Sequence, residues 1–221
     1  MKARMMIEVK PDGSGKTSLA IGMTQQLKDL ITRQSGKDPF EEFTKTQRAQ
    51  TDQSQVTTRR WTEADYEWGE ESQGFGNLGD LNTYIQRDAS FFKRFSLTRK
   101  IGLLKNRFIL DAEARSLTEG VSNSPYTLPG LDAGTVMEIQ VAARLPGQVV
   151  ETNGSAAPQD PTLILWILQA QRSTPIQAIA EAWNWLHISG LCLGATVVVG
   201  LGVAIYHSRR QPKSVMPVDQ S

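Results

Sequence analysis

The sequence predicts an α+β fold: an antiparallel β-sheet packed by a few helices and followed by a single C-terminal transmembrane helix. Three observations predict it. Residues 3–10, 106–117 and 135–144 alternate apolar and polar side chains with period two, as strands do when one face is solvated. Residues 25–32 and 78–85 space their apolar side chains for one helical face. Residues 186–206, LHISGLCLGATVVVGLGVAIY, carry no Asp, Glu, Lys or Arg. That run has the length of about 20 residues that a helix needs to cross a hydrocarbon core.

The elements follow in order. Ala3, Met5, Ile7 and Val9 fall on one face of the first strand, and Arg4, Met6, Glu8 and Lys10 on the other. Alternation resumes after Pro11-Asp12-Gly13-Ser14-Gly15, with Thr17, Leu19, Ile21 and Met23 against Lys16, Ser18, Ala20 and Gly22. Two period-two runs around a glycine-bearing turn predict a β-hairpin. A competing reading takes the Asp12 to Thr17 run as a phosphate loop of a kinase-like protein. Gly13, Gly15, Lys16 and Thr17 would then cradle phosphate, and Asp111, closing the run Phe108-Ile109-Leu110-Asp111, would hold magnesium. Two features oppose it. Lys10 stands where the leading glycine should be. The preceding strand alternates, where a central parallel strand would be apolar throughout.

Leu27, Leu30 and Ile31 give the helix at 25–32 its inner side. Residues 39–49 read as a polar helix or mobile segment, in which Phe40 and Phe43 offer only a small apolar face, and the stretch 33–75 as partly mobile. Residues 55–61 read as a strand and 72–76 as a glycine-rich connection. Leu78, Leu81 and Ile85 mark the second helix. The strand at 106–117 places Phe108, Leu110, Ala112 and Ala114 inward. The strand at 135–144 does the same with Met137, Ile139, Val141 and Ala143. Pro146-Gly147 is a break, 149–151 a short strand, Asn153-Gly154 a loop, and 163–168 a strand that pairs back. Residues 176–183 suit either a last strand or a juxtamembrane helix.

Trp183, Trp185 and Tyr206 flank the apolar run where aromatic rings favour the headgroup region, and Arg209 and Arg210 follow it. The positive-inside rule predicts an extracytoplasmic domain over 1–184, a span over 186–206 and a cytoplasmic tail over 207–221. Met1-Lys2-Ala3-Arg4-Met5-Met6 lacks the apolar core of a signal peptide. A start truncated of its leader is therefore expected, with a tail-anchored cytoplasmic domain as the alternative. Gly190 and Gly194 form a small-xxx-small pair that lets two helices approach, so a homodimer through the span is a further expectation.

Composition narrows function. A net charge of +1 sets up no global field to recruit nucleic acid. The single cysteine, Cys192, allows no internal disulfide and no cysteine-rich metal site. His187 stands at the start of the apolar run and His207 directly after it, which excludes His-based catalysis in the soluble part. Asp111, Glu113 and Arg115 share a strand face, better read as solvated charge than as a catalytic carboxylate pair. Trp61, Tyr66, Trp68 and Phe75 are better read as packing than as a ligand groove. No catalytic residue, cofactor or metal is expected.

In order along the chain, the segments resemble the LppM-domain family of bacterial envelope proteins, found in actinobacteria and cyanobacteria. The residues that carry the resemblance begin with Ile7-Glu8-Val9-Lys10-Pro11-Asp12-Gly13-Ser14-Gly15, followed by Gly74-Phe75 ahead of Leu78, Leu81 and Asn82. They continue with Leu110-Asp111-Ala112-Glu113-Ala114-Arg115-Ser116-Leu117, and with Arg144-Leu145-Pro146-Gly147 through Asn153-Gly154 to the strand tryptophan Trp166. The resemblance implies a non-enzymatic, membrane-anchored envelope domain. Its expected place is a bacterial plasma or thylakoid membrane, and its expected partners are the bilayer and a lipid, glycolipid or membrane protein.

Overall fold

A computed structural model describes residues 1–43, 56–87, 91–116, 138–158, 160–169, 172–185, 187–189 and 196–197. The strands are β1 (Lys2–Val9), β2 (Gly15–Thr24), β3 (Val56–Glu63), β4 (Tyr66–Phe75), β5 (Phe92–Lys100), β6 (Lys105–Ala114), β7 (Glu138–Arg144), β8 (Gln148–Thr152), β9 (Ser155–Ala157), β10 (Asp160–Ile167) and β11 (Thr174–Trp183). The helices are α1 (Gln25–Ser35) and α2 (Leu78–Arg87), with a further helical turn at 39–43.

The strands form two sheets. Seven run in the order β3-β4-β2-β1-β7-β10-β9, and four in the order β5-β6-β11-β8. The apolar positions of β1, β7 and β10 face those of β5, β6 and β11. Ile7, Ile139, Val141 and Ile164 are buried with Leu97, Phe108, Leu110, Ile176 and Ala180. This inter-sheet core, closed at one side by Leu81 and Ile85 of α2, is the main source of stability. A smaller cluster lies at the other end of the large sheet, where Ile21 and Met23 of β2 meet Phe40 and Phe43, with Leu27 and Ile31 of α1 against them.

The hairpin is formed as the alternation predicts. β1 and β2 pair antiparallel from Lys2 opposite Gly22 to Val9 opposite Gly15. At its tip Gly13 takes φ 92°, which a side chain would resist. The helix at 25–32 is present and runs to Ser35. Thr24 caps its first turn, and Gly36 ends it in the left-handed region at φ 70°. The ambiguity at 176–183 resolves as strand: β11 pairs with β6 over its whole length, from Thr174 opposite Ala114 to Trp183 opposite Lys105.

The expected fold class is corrected. The chain is predominantly β, in two sheets, and the large sheet is not purely antiparallel, because β1 runs parallel to β7 from Lys2 opposite Glu138 to Glu8 opposite Arg144. Two strands were hidden for physical reasons. In β4 the inward positions are Glu67, Gly69, Glu71 and Gln73, which pair with Met23, Ile21, Leu19 and Thr17. Polar residues on the covered face erase the alternation. In β5 a bulge between Phe92 and Arg94 shifts the phase, so Phe92, Phe95 and Leu97 face inward at spacings of three and then two.

The transmembrane helix is corrected too: among the described residues no helix is long and apolar enough to cross a membrane. Trp185 and residues 187–189 are helical, as are 196–197. The rest of the 186–206 run, the tail at 207–221, and residues 44–55 of the segment read as partly mobile lie outside the described residues.

Candidate functional site

The hairpin tip is engaged in its own turn and by Arg99, whose guanidinium donates to Asp12 O at 3.1 Å. Lys10 N–H donates to Ser14 O at 2.7 Å and Gly13 N–H to Lys10 O at 2.9 Å. The Asp12 carboxylate accepts from the Ser14 amide at 2.9 Å and from its hydroxyl at 2.7 Å. The chain after Gly15 is strand, with β1 on one side and β4 on the other. No helix N-terminus stands behind Gly15, so the geometry of a phosphate loop is not formed. Lys16 lies on the outer face of the large sheet, 3.2 Å from Glu8, and Thr17 is buried on the inner face. Asp111 sits on the outer face of the small sheet, paired with Arg94 at 3.0 Å. Lys16 and Asp111 therefore point away from one another across the molecule, and the structure does not bring the set together.

The aromatic residues also separate. Trp61 and Trp68 stack on the outer face of the large sheet, 5.8 Å apart and nearly parallel. Arg4 lies 5.2 Å over the Trp68 ring and Lys2 5.3 Å over Tyr66. Phe75 instead packs against the inner core. Among the described residues no three His, Cys, Asp or Glu side chains gather as metal ligands would.

An ion network crosses the outer face at the hairpin side. Arg144 of β7 reaches Glu8 of β1 at 2.8 Å and Asp160 of β10 at 2.6 Å. The Thr162 hydroxyl and amide, with Arg144, hold the Asp160 carboxyl down at about 2. Arg144 likewise lowers Glu8. These charges are paired with one another, which is a structural role.

The apolar end of the small sheet is different. β5 ends at Lys100 and β6 begins at Lys105, joined by Ile101-Gly102-Leu103-Leu104. Trp183 closes β11 directly opposite Lys105. Asn184 fixes this corner: its amide N–H donates to Leu104 O and its side-chain nitrogen to Gly102 O, each at 2.8 Å. Trp183 and Trp185 lie 6.5 Å apart, and the Lys105 ammonium sits 5.4 Å over the Trp183 ring. Ile101, Leu103, Leu104, Trp183 and Trp185 are each between 51% and 69% exposed. Among the described residues they are five of the nine exposed large apolar side chains, and they share one corner. An apolar cluster of that kind marks an interaction surface.

Trp183 and Trp185, the sequence-predicted anchors, are thus at this corner. Tyr206, Arg209, Arg210, Gly190 and Gly194 lie outside the described residues. Sequence reasoning missed residues 101–104. The available signal was an apolar run bracketed by Lys100 and Lys105, in a hairpin connection that is ordinarily polar.

No protein-family model matches the chain, and no curated protein matches it. Among solved structures, the chain is similar to the NMR structure of the folded domain of LppM from Mycobacterium tuberculosis. The identity is 14%, the coverage 83% of this chain and 90% of that one, and the TM-score 0.48. That likeness to LppM is one of backbone course and does not reach membership of a family.

Proposed function

We propose that the chain is a non-enzymatic domain that seats on a lipid surface through the apolar corner of its small sheet, in position to engage lipid or a membrane protein. The observation that supports this reading is the co-location of Ile101, Leu103, Leu104, Trp183 and Trp185, all largely exposed at the point where the chain runs on into residues 186–206. Burying a large apolar side chain is worth about 1.5–3 kcal/mol when it moves from full exposure to full burial. Half-exposed side chains entering the headgroup boundary gain less, about 1 kcal/mol each by the same scale. Five acting together suffice for reversible seating. Tryptophan at this level suits a boundary that is apolar on one side and wet on the other.

The test places a fluorophore by cysteine substitution at Leu103, in a Cys192→Ser background, and a second at Thr57 on the far sheet. With vesicles added, the Leu103 label is expected to shift to the blue and become shielded from acrylamide, while the Thr57 label stays as it is in water. Equal acrylamide access at both sites, with the chain bound to vesicles, contradicts the proposal.

A further inference from the structure

Beside the apolar corner, on the outer face of the small sheet, stands a row of charge. Lys100 of β5 pairs across the ladder with Arg107 of β6, and Arg107 with Glu181 of β11. Lys105 stands one step closer to the tip, beside Trp183. Three cations meet one carboxylate. Glu181 is shared, 3.1 Å from the Lys105 ammonium and 3.8 Å from the Arg107 Nε, so it offsets one charge of the three. Among the described residues Lys100 has no ion-pair partner.

The spacing matters. Lys100 and Lys105 directly flank Ile101 and Leu104, and Arg107 lies two residues further up its strand, about 7 Å at the rise of a β-strand. Side chains of Lys and Arg that sit just above an apolar tip reach back to the headgroup level with their stems against apolar surface. When residues 101–104 enter the boundary, the three cations are at the depth of lipid phosphate.

We infer that the lipid surface recognised by this corner is anionic, and that Lys100, Lys105 and Arg107 select it. The inference rests on the seating proposed above and names the surface. Cations close to an anionic leaflet contribute about fivefold each to binding, and salt screens them. Glu181 is then a brake: it is the one carboxylate in the row, and removing its charge should strengthen seating.

The full chain carrying the Leu103 label is mixed with vesicles of phosphatidylcholine alone, or of phosphatidylcholine with an equal part of phosphatidylglycerol. Seating is read as shielding of the label from acrylamide, a neutral quencher. On the anionic vesicles the seated fraction should be larger by about tenfold or more in its equilibrium constant, and should fall as salt is added. Lys100→Glu, which disturbs no ion pair, should weaken seating there by about twenty-five-fold, two charges at fivefold each, and leave seating on the neutral vesicles unchanged. Glu181→Gln should strengthen it. Equal shielding on both vesicles, with Lys100→Glu and Glu181→Gln both silent, overturns the anionic preference and leaves the seating intact. A label exposed on both vesicles overturns the seating and the preference with it.

Discussion

Asn153 shows how much one side chain can carry in this fold. Its Oδ1 accepts from the Trp166 indole at 2.8 Å and from the Gln177 amide at 2.8 Å, and its Nδ2 donates to Pro175 O at 3.0 Å. Trp166 belongs to the large sheet, and Pro175 and Gln177 to the small one, so a single amide ties the two where the chain crosses between them. Asn153→Ala should leave a buried indole N–H without its acceptor and cost about 1–2 kcal/mol, read as a lower midpoint of urea unfolding. Arg144 makes a tie by charge within the large sheet, joining β7 to β1 and β10. The Asp160 carboxyl, at 3.8 when free, is held to about 2 in the fold, and Glu8 is also lowered. A depressed folded value means that the stabilisation is complete above the free value and is lost as pH falls from 3.8 toward about 2. Arg144→Gln should flatten that acid loss in a plot of unfolding free energy against pH. It should not abolish it, because Thr162 still bonds Asp160 at 2.6 Å.

At the scale of elements, α2 protects an edge. β5 is the outermost strand of the small sheet. The Asn82 amide pairs both ways with the free side of Leu97, donating to its carbonyl at 3.0 Å and accepting from its N–H at 2.9 Å. Covering an edge in this way removes a template for association with other chains. Asn82→Leu should therefore destabilise by about 1–3 kcal/mol and increase light scattering at concentrations where the parent chain scatters little. The sequence shows α1, α2, the hairpin and β6 plainly, since each keeps its period and carries its own turn or cap. β4 and β5 were not legible: polar residues occupy the covered face of one, and a bulge breaks the phase of the other. The Asn82 clamp was invisible as well, because an asparagine in a helix gives no hint that its partner is a strand edge.

For the molecule as a whole, the least legible feature is the parallel pairing of β1 with β7. It joins residues more than a hundred positions apart, and no local pattern specifies it. That pairing puts the hairpin at the centre of the large sheet and builds the sandwich whose far corner carries the apolar side chains. Half of the candidate site was readable: Trp183 and Trp185 announce themselves beside the 186–206 run. The other half, residues 101–104, joins them only because β6 and β11 pair in a register that sets Lys105 against Trp183. Seating through that corner gives the molecule a directed posture, with the corner at the lipid boundary and the Trp61 and Trp68 face away from it. The most direct measurement is electron paramagnetic resonance power saturation of nitroxides at Ile101, Leu103 and Thr57, one at a time, on vesicle-bound chain. Higher collision with oxygen than with a water-soluble nickel complex at Ile101 and Leu103, reversed at Thr57, is the predicted result. Nickel-dominated collision at all three positions would contradict it.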